Sequence, residues 1–271
     1  MSDFHELTLA ASLGLALFLA APSVRPKKQS PPADSSRTPV LVELFTSEGC
    51  SSCPPADTIL QKLVEKQPIP GADVIDIEEH VDYWNHDGWI DPFSSPEWTQ
   101  RQMVYTPQTN DTGPYTPEMV VDGKTSFAAA DPPKVVSSIE SAAANRKTEV
   151  LISPEEPAEK NSREFSVTVG KLLSPNPGDT AEIWLAITED GLHSSVNAGE
   201  NAGHALTHMA TLRTMHKIGV SDPNAAPNSF TGRTRVKFDS HWNAANLRVI
   251  VFVQEKKGRA ILGVASAKLT G

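Results

Sequence analysis

The sequence predicts an α/β layer with a mixed sheet and flanking helices, followed by an all-β antiparallel sandwich-like domain. Three observations carry this prediction. A strand–helix–strand pattern spans residues 40–77, and a helix follows the hairpin signal at Asp122-Gly123. Past Asn145 the chain breaks into strand-length apolar runs separated by Pro, Gly, Asn and Asp clusters.

The elements follow in order. Val40-Leu41-Val42-Glu43-Leu44-Phe45 has the length and β-branched content of a buried strand. Thr46-Ser47-Glu48-Gly49 is turn chemistry, and a helix begins at Pro54-Pro55 and runs to about Val64. Asp73 to Ile77 alternates as a second strand, parallel to the first. An aromatic and acidic excursion, 80–93, precedes a helix capped by Ser94 or Ser95 and reaching about Tyr105. Tyr115 to Phe127 reads as a hairpin, and Asp131-Pro132-Pro133 opens a helix to Ala144. Seven strand-like runs follow: 149–152, 165–169, 181–188, 206–217, 233–238, 247–254 and 260–268.

Domain organisation follows from the same pass. Residues 1–23 carry an uncharged stretch, Leu7 to Ala21, short of the ~20 apolar residues of a membrane span and suited to a signal peptide. Asp3 and Glu6 precede it and Arg25, Lys27 and Lys28 follow it, which leaves a cleaved signal and a retained membrane anchor as two readings. Both place the protein outside the cytoplasm, periplasmic or secreted. Residues 24–38 are Pro-, Ser- and Lys-rich and read as a flexible linker; 39–148 form the α/β domain and 149–271 the β domain. A net charge of −9 and the absence of a basic stripe exclude nucleic acid as a partner, and there is no glycine-rich phosphate loop.

The chain has two cysteines, Cys50-Ser51-Ser52-Cys53, between the first strand and the first helix. Free N–H groups and the helix dipole favour a thiolate there, and strand, turn, C-x-x-C, helix is the setting of a redox dithiol. Cys50 is then an exposed nucleophile and Cys53 the resolving thiol, acting on a protein thiol, a protein disulfide or an electron donor, with no cofactor beyond the disulfide. A structural disulfide is the plain alternative, but so small a loop removes little chain entropy. Zinc is not expected, since no second ligand pair accompanies the cysteines.

These residues also carry a resemblance. Phe45 to Asp57, His80-Val81-Asp82-Tyr83-Trp84, Tyr115-Thr116-Pro117 and Val120-Val121-Asp122-Gly123 together resemble the bacterial exported thioredoxin-like family catalogued as domain of unknown function 1223. Gly199-Glu200-Asn201-Ala202-Gly203-His204, with Leu206, Thr207 and His208, is similar to that family's second signature, although an arginine is usual where His204 stands. The resemblance implies a thioredoxin-like domain in which Pro117 is the cis-proline facing the disulfide and Thr116-Pro117 form a substrate ledge.

Other side chains carry paired readings. Glu43 is either a buried carboxylate relaying the Cys53 proton or a strand residue reaching solvent. His80 either completes a Cu(I) site with Cys50 and Cys53 or anchors the excursion by hydrogen bonds. His204 and His208 have a ligand-like spacing within a strand-like run, which favours an ordinary strand; His86 and Asp87 read as loop surface. Three functions follow: a thiol–disulfide oxidoreductase, a copper-binding or delivery module, and a non-catalytic interaction protein using Trp84 and Trp89.

Overall fold

A computed structural model describes residues 37–106, 113–155, 161–173, 175–222, 225 and 227–269. The expected export segment at 1–23 and almost all of the linker at 24–38 lie outside the described residues. Strand β1 (Thr38–Thr46) is buried from Val40 onward, with both faces covered, which is why its apolar run is nearly unbroken. Helix α1 (Pro54–Lys66) starts with two prolines, where the missing N–H groups would have no intrahelical partner. It packs Ala56, Leu60 and Leu63 against Val40, Val42 and Leu44 of β1.

Strand β2 (Ala72–His80) pairs in parallel with β1, from Thr38↔Ala72 to Thr46↔His80. It runs three residues beyond the expected end, so Glu78, Glu79 and His80 belong to the sheet and alternate across its two faces. Helix α2 (Pro96–Met103) is capped by Ser95, whose side chain accepts from the Glu97 N–H at 3.1 Å. Strands β3 (Glu118–Val121) and β4 (Thr125–Ala128) form the hairpin. Asp122 and Gly123 take φ of 49° and 67°, the two positive values of a type I′ turn. A Cβ on Gly123 would lie 2.0 Å from the Arg259 carbonyl oxygen, so the position also requires glycine for space. Helix α3 (Pro132–Ala143) is capped by Asp131 and closes the same core through Val135 and Ile139.

Nine strands follow: β5 (Val150–Pro154), β6 (Ser162–Val169), β7 (Ala181–Glu189), β8 (Leu192–Ser195), β9 (Ala205–His208), β10 (Thr211–Val220), β11 (Phe230–Lys237), β12 (Leu247–Glu255) and β13 (Ile261–Lys268). The expected single strand at 206–217 is two strands. Ala210, at φ 52°, turns the chain between them. β9 pairs with β8 in a separate ribbon, while β10 enters the main sheet. β8 has no counterpart in the sequence reading, because its four residues, Leu-His-Ser-Ser, carry little apolar signal.

Residue 148 marks a change of texture and not a break. One mixed eight-stranded sheet, ordered β13-β12-β7-β10-β2-β1-β3-β4, runs across it, and the described residues cluster as one compact unit. The join is narrow, a single pairing of Thr211 with Glu78. Outer strands fold back over the inner ones. Ala186, Ile250, Phe252, Ile261 and Val264 pack on Leu41, Ile75 and Ile77. The opposite faces of β7 and β12 pack on the three-stranded antiparallel sheet β11-β6-β5. The protein is thus mostly β, with a large mixed sheet and three α-helices among the described residues. No helix among those residues is long and apolar enough to cross a membrane.

Candidate functional site

Cys50 and Cys53 are joined as a disulfide, with Cα atoms 5.5 Å apart. The Cys53 carbonyl accepts from the Ala56 and Asp57 N–H groups at 2.8 and 3.1 Å, which fastens the bridge to the first turn of α1. The expectation of an exposed Cys50 is corrected: both cysteines are 0% exposed, and only Ser51 and Ser52 of the motif face solvent. The cover is the loop before β9. Glu200 Oε2 accepts from the Ser51 N–H at 3.0 Å and from its hydroxyl at 2.7 Å. Buried Asn201 donates from Nδ2 to the carbonyls of Glu48 and Cys50, at 2.9 and 3.0 Å. From beneath, Gly49 rests on Trp84, where a Cβ would lie 2.8 Å from the Trp84 carbonyl oxygen.

Asn201→Ala is therefore expected to speed reduction of the disulfide by dithiothreitol about tenfold. Losing this donor weakens the closed loop by roughly 1–1.5 kcal/mol and raises its open population accordingly. Timed alkylation and mass spectrometry measure the rate, and an unchanged rate would show that this loop does not control access.

Beside the bridge lies a buried group of acids and imidazoles. The turn after β1, strand β2, the excursion and β9 supply Glu48, Glu78, His80, Asp91 and His208, all 2% exposed or less. His80 Nδ1 meets Asp91 Oδ2 at 2.7 Å, and Asp91 also accepts from the Glu48 N–H at 2.8 Å. His208 Nε2 meets Glu48 Oε1 at 3.1 Å, and its Nδ1 meets Glu78 Oε1 at 3.3 Å. Trp89 donates to Glu48 Oε2 at 2.9 Å. The two imidazoles stand edge to face at 4.6 Å between centroids, with Phe93 against both.

Burial alone would lower both histidine pKa values, but the neighbouring carboxylates outweigh it. Asp91 and Glu78 raise His80 well above its usual value, and Glu78 and Glu48 raise His208 to about 9. Glu78 and Asp91, which burial would raise, are lowered by the same imidazoles. Asp57 behaves differently. It lies one turn beyond Cys53 on α1, and its Oδ1 accepts from the Thr46 hydroxyl at 2.8 Å. Loss of hydration, with the Glu78 carboxylate second, pushes its carboxyl up to about 7.

The other sequence candidates are distributed as follows. Glu43 reaches neither solvent nor α1. It is 0% exposed and turns to the α2 side of the sheet, where Arg101 grips Oε1 from Nε and Nη2 at 2.8 and 2.6 Å, and the Tyr105 hydroxyl donates to Oε2 at 2.5 Å. Leu41 and Glu43 share a face, while Val40, Val42 and Leu44 face α1. Proton relay from Glu43 to Cys53 is thereby corrected, because the sheet lies between Glu43 and the helix that carries Cys53.

The Thr116–Pro117 bond is cis, and Thr116 Oγ1 accepts from Trp84 Nε1 at 2.7 Å. Trp84 thus touches both Gly49 and Thr116, linking the disulfide turn to the start of β3. The Cu(I) set of Cys50, Cys53 and His80 is not brought together: the sulfurs bond each other, and His80 turns to Asp91. Among the described residues, the group close enough to share one ion is Glu78, His80 and His208. His204 is exposed, and His86 and Asp87 pair on the surface at 3.0 Å, as expected.

Sequence reasoning gave no role to Glu48, Asp57, Glu78, Asp91, Glu200 or Asn201. Asp57 was accessible, since four residues beyond Cys53 is the same helix face. Glu78 and His80 share a face of β2 by alternation. His208, 130 residues from Glu78, carried no local signal of the contact.

Fold and site together define a class: a mostly β protein with a large mixed sheet, whose buried C-x-x-C disulfide is stitched to a histidine–carboxylate cluster. The chain belongs to the family described as Protein of unknown function (DUF1223), whose model matches residues 41–254. A crystal structure of a protein from Agrobacterium tumefaciens is 24% identical with a TM-score of 0.62, covering 85% of this chain and 94% of that one. HBP35 of Porphyromonas gingivalis is 18% identical, also at 0.62, covering 86% and 76%. Both likenesses are of fold. No curated protein matches the chain.

Proposed function

We propose that this is an exported thioredoxin-like protein that exchanges electrons with protein thiols or disulfides through Cys50 and Cys53. The observation that carries the reading is the disulfide at the first turn of α1 with the Asp57 carboxyl one turn beyond it. The order β1-α1-β2 with parallel strands, an antiparallel β3-β4 hairpin opening at Thr116-Pro117, and a final α3 supports the thioredoxin-like reading. A disulfide persists most readily outside the cytoplasm, which agrees with the apolar run Leu7 to Ala21.

In the reducing direction a donor thiolate attacks Cys50 Sγ. A donor–Cys50 bond forms, the Cys50–Cys53 bond breaks, and Cys53 leaves with the electron pair and takes the Asp57 proton. A second donor thiol then attacks the mixed disulfide and frees Cys50. The donor dithiol is oxidised by two electrons and the protein disulfide reduced by two. The loop carrying Glu200 and Asn201 must lift for the attack.

The test is reversible labelling of the folded full chain. Dithiothreitol is expected to open both cysteines to alkylation with unchanged circular dichroism, and the reduced protein to reduce insulin, an activity lost in Cys50→Ser. A bridge that resists reduction in both the wild type and Asn201→Ala, while the protein stays folded, would make it structural and overturn the proposal.

A further inference from the structure

We propose that Glu78, His80 and His208 form a binding site for one divalent transition-metal ion of the zinc class. All three side chains are buried, and one ligand atom from each lies within 4.8 Å of the others. Glu78 Oε1 is 3.3 Å from His208 Nδ1, and Oε2 is 3.8 Å from His80 Nε2. Ligands held at about 2.0–2.1 Å around a tetrahedral ion stand roughly 3.3 Å apart, so the spacing suits a shared ion. His80 Nε2 has no hydrogen-bond partner among the described residues although it is fully buried. A buried ring nitrogen without a partner, aimed at a carboxylate beyond hydrogen-bond reach, is costly unless something lies between them.

The surrounding residues point the same way. Each imidazole has its far nitrogen on a carboxylate, His80 Nδ1 on Asp91 and His208 Nε2 on Glu48, which orients the near nitrogen of each toward Glu78. This carboxylate–histidine pairing is the usual outer shell of a metal-binding histidine and raises its basicity. The Met209 N–H and the Thr211 hydroxyl fix the Glu78 carboxylate through Oε2, at 3.1 and 3.3 Å. Three carboxylates, of Glu48, Glu78 and Asp91, meet the two imidazoles, so with the rings neutral, as ligands must be, a dication balances an acidic surplus. Two nitrogens and one carboxylate oxygen suit zinc and its neighbours rather than Cu(I), which prefers thiolate or thioether ligands. Three protein ligands leave a coordination position for a water.

The site does not depend on the dithiol, so it is tested with the Cys50–Cys53 bridge intact. The full chain is stripped with a chelator and titrated with zinc chloride by calorimetry, and with Co²⁺ by visible absorption. One ion per chain is expected. Glu78→Gln and His208→Gln should each weaken binding by about a hundredfold, and Asp91→Asn by roughly 10–100-fold. The Cys50→Ser/Cys53→Ser variant should bind as the wild type does. X-ray absorption of the zinc-loaded wild type is independent of variant folding, and two imidazoles with only nitrogen and oxygen scatterers are expected. Sulfur in the first shell, binding lost with the cysteines, or no binding by the wild type at micromolar zinc would overturn the proposal.

Discussion

Arg101→Met is expected to lower stability by about 3–5 kcal/mol, the cost of leaving a buried carboxylate without its partner. Arg101 and Glu43 are 9% and 0% exposed at their side chains. The guanidinium also donates from Nη1 to Gln254 at 2.6 Å and from Nη2 to the Tyr105 hydroxyl at 2.7 Å, and lies 5.1 and 5.4 Å from the Tyr105 and Phe252 ring centres. Removing it strands Glu43 and weakens a link between α2, β1 and β12. Thermal unfolding should show a Tm lower by roughly 10 °C. Glu43→Gln combined with Arg101→Met should recover much of the loss, since the pair then leaves no charge behind. A single variant within about 1 kcal/mol of the wild type would show that the cluster is not a structural anchor.

Asp57→Asn is expected to slow reduction of the disulfide by about 10²-fold, the lower end for loss of a positioned acid. Asparagine keeps the shape and can still accept from the Thr46 hydroxyl, but it has no proton to give the departing Cys53 sulfur. Because the Asp57 carboxyl titrates at about 7, the wild-type rate, expressed per dithiothreitol thiolate, should fall as pH rises through that value. The variant should show no such fall. Stability separates this from damage to the fold. An acid whose folded pKa is raised contributes fully below its unfolded pKa, and that contribution is lost as pH rises through about 7. Asp57→Asn should therefore be at least as stable as the wild type at pH 8. Equal rates and parallel pH profiles would remove Asp57 from the reaction.

Much of the fold was legible because its signals are local. The prolines of α1, the Ser95 and Asp131 caps and the Asp122-Gly123 turn each specify backbone geometry within a few residues, and each element formed there. The split at Ala210 was hidden, because an alanine with positive φ is imposed by its surroundings and carries no sequence signature. That split has consequences for the site: β9 ends at His208 in a ribbon outside the main sheet, which places the His208 ring beside Glu48 and Glu78.

By itself the sequence determined the C-x-x-C between strand and helix, the βαβ order, the hairpin and the family, since local geometry and a spaced motif are properties of short segments. It could not determine which face of β1 takes Glu43, because alternation separates two faces without naming what covers either one. Only the tertiary structure decided that Arg101 holds Glu43, that Glu200 and Asn201 seal the disulfide, and that His80 meets His208. Each is a contact across many tens of residues, set by how α2 and the later strands pack on β1 and β2, and such contacts leave no trace in neighbouring sequence.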